Sequence, residues 1–253
     1  MEAAGTGTKR PRAAAAGRIY SGLQPSERAK ERRARLVRAG IEVFGTVGYG
    51  AAKIKVLCQQ AGLSERYFYE SFESREELLT TVYDSLSTGL MQDVVAALSA
   101  PASDVHESVR AGMAAVVNYM LVDPRHAQII LVEIVGVSHE LESKRHASMT
   151  AFAEESRRQL LLLSGIDAAE ADARLAANPG DDALAGVLDV ARLTAVSMVG
   201  GVNNMLIDAV LGGTTANRDR IIEVAYQLIS NSAVGLKALA GQTVLAGPAE
   251  PDA

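Results

Sequence analysis

Leu57-Cys58-Gln59-Gln60-Ala61-Gly62-Leu63-Ser64-Glu65-Arg66-Tyr67-Phe68-Tyr69 is the stretch whose reading decides the fold. It completes a short helix, about Ile54–Ala61, that buries Ile54, Leu57, Cys58 and Ala61. Gly62 then permits a backbone bend that a Cβ would resist. Ser64 is a residue type that caps helices, so a third helix of under two turns is expected over Glu65–Glu70. Helix, tight turn and short helix make a helix-turn-helix reader, in which one helix braces on the DNA backbone and the next presents side chains to base edges. Any pair of helices joined by a tight turn gives the same local pattern, so the flanking sequence has to decide.

Upstream, Ser26-Glu27 opens a long helical pattern. Leu36 or Val37, Ile41, Phe44 and Val47 recur at helical spacing, with Arg32, Arg35 and Arg38 off that stripe. Gly48 suits the left-handed position just past a helix end. Downstream, Ser74 stands three residues before Glu77, a capping box for a fourth helix to about Leu98, broken by Ser99 and Pro101. Further helices are expected over 104–122, 125–136, 139–164, 188–211 and 217–240, punctuated by Pro124, Gly165 and Gly212-Gly213. Residues 165–187, with the turn Asn178-Pro179-Gly180, read as a long loop or a weak helix. The expectation is an all-α chain: a disordered basic tail over 1–25, an N-terminal three-helix helix-turn-helix DNA-binding domain over 26–79, a helical-bundle ligand-binding and dimerisation domain over 80–240, and a disordered tail over 241–253. Lys9, Arg10, Arg12 and Arg18 in the first tail either touch DNA or are simply solvated.

Charge divides at the same place. The whole chain carries −5, but residues 1–79 hold 14 Lys and Arg against 9 Asp and Glu, a balance of +5. The remainder holds 11 against 21, a balance of −10. A basic first third on an acidic body favours a polyanion as partner. The single cysteine, Cys58, excludes an intramolecular disulfide, suits a reducing cytosol and reads as core packing rather than a redox sensor. Met1–Gly17 has no apolar signal-peptide core. The longest apolar stretch, Leu193–Ile207, is interrupted by Thr194, Ser197, Asn203 and Asn204 and reads as too short and too polar for a membrane span. A cytoplasmic protein away from membranes is expected. His139 and His146 share a helix face with Glu142, too few ligands for a metal. Gly5-Thr6-Gly7-Thr8 lacks the strand and the Lys of a phosphate loop. With no catalytic elbow, metalloprotease motif or dinucleotide fingerprint, no enzyme, cofactor or metal is expected.

The run Phe44…Gly48-Tyr49, then Leu57 to Ser64, then Tyr69…Phe72-Glu73-Ser74-Arg75-Glu76-Glu77-Leu78-Leu79, resembles the TetR (tetracycline-repressor-like) family of bacterial transcriptional regulators. The resemblance implies a homodimeric repressor on a pseudo-palindromic double-stranded DNA operator, released by a small-molecule effector. It implies that the Tyr69 hydroxyl contacts a phosphate, that Phe72 packs helix 3 on helix 4, and that Arg75, where Lys is usual, faces phosphate. Arg66 and Tyr67 fall where base edges are read, with Ser64 and Glu65 beside them. Lys53 and Lys55 stand at the start of helix 2 and can hold phosphate. The sequence departs from the family pattern at Glu65, at Ala52-Lys53 in place of a capping Thr, and at Ser71 in place of His or Tyr.

The helical body is expected to sense and to dimerise. Met113, Asn118, Tyr119, Ile130, Glu133 and Phe152 are candidates for an effector pocket, with Asn118 and Glu133 as its polar fixings. The scarcity of aromatics favours an aliphatic or acyl-like effector over a flat multi-ring one. Helix 188–211 is apolar nearly all round, as a helix buried on two fronts is. Val196, Gly200, Gly201 and Asn204, with Ile222, Tyr226 and Ile229 of the next helix, are the candidate dimer interface. Two other readings stay open: an activator or effector-independent DNA binder with the same reader, and a helical-bundle lipid carrier or enzyme. Salt discriminates the last, because DNA binding weakens steeply with ionic strength.

Overall fold

In a computed structural model of the chain, residues 25–212 and 217–245 are described. The basic tail, apart from Pro25, lies outside them, as do 213–216 and 246–253. Every regular element among the described residues is helical. The first four helices are α1 (Pro25–Val47), α2 (Ile54–Ala61), α3 (Glu65–Tyr69) and α4 (Arg75–Ser99). They are followed by α5 (Val105–Leu121), the single turn α6 (Pro124–Ala127) running into a π-helical segment (Gln128–Glu133), and α7 (His139–Leu163). Then come α8 (Ala168–Ala177), α9 (Asp182–Leu211) and α10 (Arg218–Leu245).

The helix boundaries follow from local chemistry. Ser74, Asp104, Ser138, Asp167 and Asp181 each cap a helix by accepting the N–H three residues on. Gly62 ends α2 in the left-handed region at φ 62°, with its own N–H on Gln59 O and the Leu63 N–H on Cys58 O. Gly48 closes α1 at φ 83°.

Several expectations need correction. The buried face of α1 runs through Leu36, Ala39, Val43 and Phe44, while Val37 and Ile41 are half-buried and Val47 is exposed. The stretch 165–187 is neither loop nor weak helix throughout. Asp167 caps α8, and Asp181 caps α9, which starts at Asp182, six residues before the expected 188. Helix α10 continues past 240 to Leu245, into the expected tail. The segment 125–136 is not a plain α-helix, because its middle is π-helical. Helix α9 has 30 residues and is long and apolar enough, by length and composition, to cross a bilayer. In this fold it packs along α7 and α10, with Ala191, Ala195 and Leu206 fully buried. A central helix shared between packed neighbours has the same composition.

One apolar cluster extends from Leu36, Phe44 and Phe68 through Leu78, Val82 and Leu90 of α4 to Ile129, Leu206 and Ala225. A second gathers Leu160, Leu161, Ala191, Ile229 and Leu236 at the far end of the body. The division expected at residue 79 therefore falls inside α4, whose start packs on the reader and whose remainder packs on α5.

Candidate DNA-reading face and effector cavity

Helix α3 is held from behind and open in front. Phe68 points inward and is fully buried, meeting Phe72 at a 6.0 Å ring separation. Ser64, Glu65, Arg66, Tyr67 and Tyr69 are exposed, Tyr69 by 59%. A one-and-a-half-turn helix has little stability alone, and arginines of α1 fix it to the scaffold. The Arg32 guanidinium lies 4.6 Å from the Tyr67 ring centre and 3.6 Å from Glu70. Arg33 lies 4.0 Å over Phe72 and donates to Ser71 O and to Thr81 Oγ1. Arg35 clamps the turn itself, donating from Nε and Nη2 to Ala61 O at 3.0 and 2.6 Å and from Nη2 to Gly62 O at 3.0 Å. From the sequence, Arg32 and Arg35 are placed only off the apolar stripe, and Arg33 is given no role. Only Arg32 and Arg35 stand one turn apart on α1, whereas Arg33 is directed toward Ser71, Phe72 and Thr81 where α3 meets α4.

The structure places the DNA-facing candidates as follows. Lys53 and Lys55 are exposed at the start of α2, and no side chain caps that helix, as the loss of the usual Thr implied. Ser64 has extended backbone (φ −82°, ψ 159°), yet its side chain accepts no N–H from α3, so the expected cap bond is missing. Arg66 is bonded to Glu70 Oε1 at 3.0 Å, one turn on, rather than to Glu65. Ser71 turns back to Tyr67 O at 2.9 Å. Arg75 differs most from expectation. Its Nη1 donates to Tyr49 O at 3.0 Å and to Ala52 O, and its guanidinium covers the Tyr49 ring at 4.7 Å. It closes the α1–α2 loop, leaving only its other N–H groups for a phosphate. Burial pushes the Cys58 thiol above its ordinary range, and nearby Glu65 adds to this, which disfavours the reactive thiolate.

The reader meets the body at two polar junctions. Arg125 of α6 donates to Asp123 Oδ1 at 2.7 Å and to Glu42 of α1, and its hydrogen bonds hold the Asp123 carboxyl below the usual carboxylate range. Glu133, at the end of the π-helical segment, accepts the Tyr49 N–H at 2.7 Å and the Gln128 side-chain amide at 2.6 Å. Ile130 and Leu131 of the same segment line a cavity of about 300 Å³ between α4, α5, α7 and α9. Met113, Phe152 and Met198 are among its other apolar walls.

Residues 36–82 match the sequence model of the bacterial regulatory proteins of the tetR family, N-terminal domain. This chain carries the DNA-binding domain of the TetR family. No curated protein matches the chain. Among solved structures it is similar to the fatty acid degradation regulator FadR from Bacillus halodurans, at 15% identity and TM-score 0.63, over 79% of this chain and 94% of that one. It is also similar to a TetR-like transcriptional regulator from Rhodococcus sp. RHA1, at 14% identity and TM-score 0.60, over 84% and 99%. A third, a transcriptional regulator from Pseudomonas aeruginosa PAO1, matches at 16% identity and TM-score 0.61, over 86% and 96%. Likeness at such identities is one of fold, and it covers the helical body as well as the reader.

Within the helical body the candidates separate. Met113, Ile130 and Phe152 line the cavity, whereas Asn118 is exposed and Tyr119 stacks on His126 at 4.8 Å, away from the lining. Glu133 is turned to the reader, not the cavity. A π turn takes more residues than an α turn, which shifts the face that plain helical spacing assigned to it. Of the dimer candidates, Tyr226 and Ile229 are buried within the chain itself, Tyr226 hydrogen-bonded to His106 Nδ1 at 3.0 Å under the Arg110 guanidinium. Ile222 is half-buried against the core. Val196 is half-exposed and Asn204 exposed, and nothing lies within 4 Å of a Cβ built on Gly200 or Gly201. Gly200 and Asn204 also border the cavity. Among the described residues no group of three His, Cys, Asp or Glu could hold a metal.

Proposed function

We propose that this DNA-binding regulator is a cytoplasmic, homodimeric repressor whose operator affinity is set by a small, largely apolar effector in the α4–α5–α7–α9 cavity. The observation that carries the reading is that one six-residue segment has both duties: Ile130 and Leu131 face the cavity, and Glu133 holds the Tyr49 N–H at the base of the reader. A ligand that reshapes this π turn alters the support of α1 and, through the Arg75 clamp on Tyr49 O, of α4. It changes DNA affinity only as far as it prefers one of the two arrangements.

Dimerisation is supported by the outer faces of α9 and α10. Leu193, Val196, Leu228 and Val234 are exposed there, and Gly200-Gly201 allow close approach of a partner helix. A two-fold axis through this face sets two α3 helices about 34–36 Å apart for successive major grooves. Arg66 and Tyr67 then read bases, Tyr69, Lys53 and Lys55 hold phosphates, and Ser64 and Glu65 flank them. Arg75 acts chiefly as a loop clamp.

Selection of bound sequences from a random duplex pool at about 150 mM salt tests this. An inverted repeat is expected, with Arg66→Ala costing about 1–3 kcal/mol and relaxing specificity, and Tyr69→Phe weakening all sequences alike. Absence of enrichment at every salt concentration would overturn the reading.

A further inference from the structure

The cavity wall contains one charged residue among those described, Arg145 of α7, and its guanidinium is used unevenly. Nε and Nη2 both lie 2.9 Å from Glu142 Oε2, and Glu142 is itself anchored by the Gly136 N–H at 2.9 Å. The other edge, Nη1, donates to Met149 Sδ at 3.3 Å, and Met149 is part of the lining. A thioether is a weak acceptor, so an oxygen arriving in the cavity would displace it. Ser87 Oγ of α4 lines the same cavity, buried and without a hydrogen-bond partner. Buried hydroxyls are nearly always paired, and an orphan calls for a partner the protein itself does not supply. The two helices that carry these groups are tied nearby: Lys144, beside Arg145, bonds Asp84 Oδ2 at 2.8 Å, three residues before Ser87. Ser87 also shares a groove with Ser148, three residues beyond Arg145.

The remaining wall is mostly aliphatic, and four of the chain's seven methionines line it: Met113, Met120, Met149 and Met198. Thioether side chains adapt to a flexible chain better than to one rigid shape. At about 300 Å³ the cavity is at the small end for ligand sites.

Resting on the effector reading above, we propose that the cavity takes an aliphatic chain ending in a carbonyl oxygen, of the fatty-acid or fatty-ester class, with Arg145 Nη1 and Ser87 Oγ as donors to that oxygen. The methionine-rich wall holds the chain. Glu142 already balances the Arg145 charge, so acid and ester share the recognition chemistry and differ only in how far the guanidinium reads net charge.

The test is displacement of an apolar fluorescent dye from the full-length protein, using a dye that is lost when Met113→Trp fills the cavity. Octanoate, methyl octanoate and 1-chlorooctane are compared on wild type, Arg145→Gln and Ser87→Ala. Octanoate or its ester is expected to compete roughly tenfold better than 1-chlorooctane. That advantage should shrink in both variants, while 1-chlorooctane competes unchanged and so reports an intact fold. Octanoate ahead of the ester places an acid on Arg145, and the reverse order places a neutral ester there. If 1-chlorooctane competes as well as octanoate in wild type, the carbonyl head group is wrong and the apolar effector cavity stands. If none displaces the dye, the effector reading fails and takes this proposal with it.

Discussion

The reader and the helical body are packed in opposite ways. Three of the four phenylalanines, Phe44, Phe68 and Phe72, sit fully or almost fully buried in the reader. Arginines cover the aromatic faces around them at Tyr67, Phe72 and Tyr49. The body instead surrounds a cavity with methionine and aliphatic side chains. Rigid rings with cationic covers fix one shape, which a surface matched to a DNA groove requires. Unbranched thioethers around empty space keep several shapes close in energy, which a ligand-driven change requires. The contrast assigns rigidity to recognition and slack to sensing.

The largest expected effect tests the rigid side. Phe72→Ala should cost about 3–5 kcal/mol in urea unfolding, against about 1–2 kcal/mol for Met113→Ala beside the cavity. Equal losses would remove the contrast. Gly62→Ala comes next. It places a Cβ at φ 62° and 2.8 Å from Arg35 Nη2, so about 1–2 kcal/mol is expected, with DNA binding lost before global unfolding. Smaller again is the difference between two serine caps. Ser74 Oγ accepts the Glu77 N–H at 3.1 Å whereas Ser64 makes no such bond. Ser74→Ala should therefore cost about 1 kcal/mol and Ser64→Ala less than about half of that. Circular dichroism melts of both variants would measure this.

Acid probes the junction between the two regions. Hydrogen bonds from Arg125 lower the Asp123 carboxyl, so its contribution to stability is complete above its unfolded value of about 3.9. The contribution is lost as pH falls through the lower folded value. Asp123→Asn should flatten the acid limb of the stability profile below about pH 4 and leave the neutral region sloped as before. An unchanged acid limb would remove Asp123 from the junction's energetics.

How far the sequence could be read follows the same division. In the reader, local signals are strong and short-range. Gly62 in a left-handed turn and Ser74 three residues before Glu77 appear where they were expected, although Glu77 reaches back to the Glu73 N–H at 2.6 Å rather than to Ser74. What the reader hides is tertiary: Arg75 has the charge for a phosphate, and only the fold shows Tyr49 O and Ala52 O already on it. In the body the caps at Asp167 and Asp181 were also legible, but the Asn178-Pro179-Gly180 turn between them outweighed them as a loop signal. The π turn over Gln128–Glu133 has no local signature, so Glu133 was assigned to the cavity on an α-helical period that does not hold there. Tyr226 and Ile229 look like interface on an amphipathic count, yet Ile229 lies in the body's second core cluster and Tyr226 is taken up by His106 and Arg110. Arg145 has no such local signal, because it stands between Lys144 and His146 in the sequence, and only the fold turns it, and not its neighbours, to the cavity with Met149 and Phe152.

The most direct test of the link between cavity and reader is fluorescence anisotropy of the selected duplex, with and without octanoate or its methyl ester, for wild type and Glu133→Ala. Glu133→Ala removes the acceptor on the Tyr49 N–H without touching the cavity lining or the exposed face of α3. The variant is expected to bind both DNA and ligand while losing most of a coupling of about 1–3 kcal/mol between them. A variant whose DNA affinity responds to the ligand as fully as wild type would contradict it, and would mean that the signal leaves the cavity by another helix.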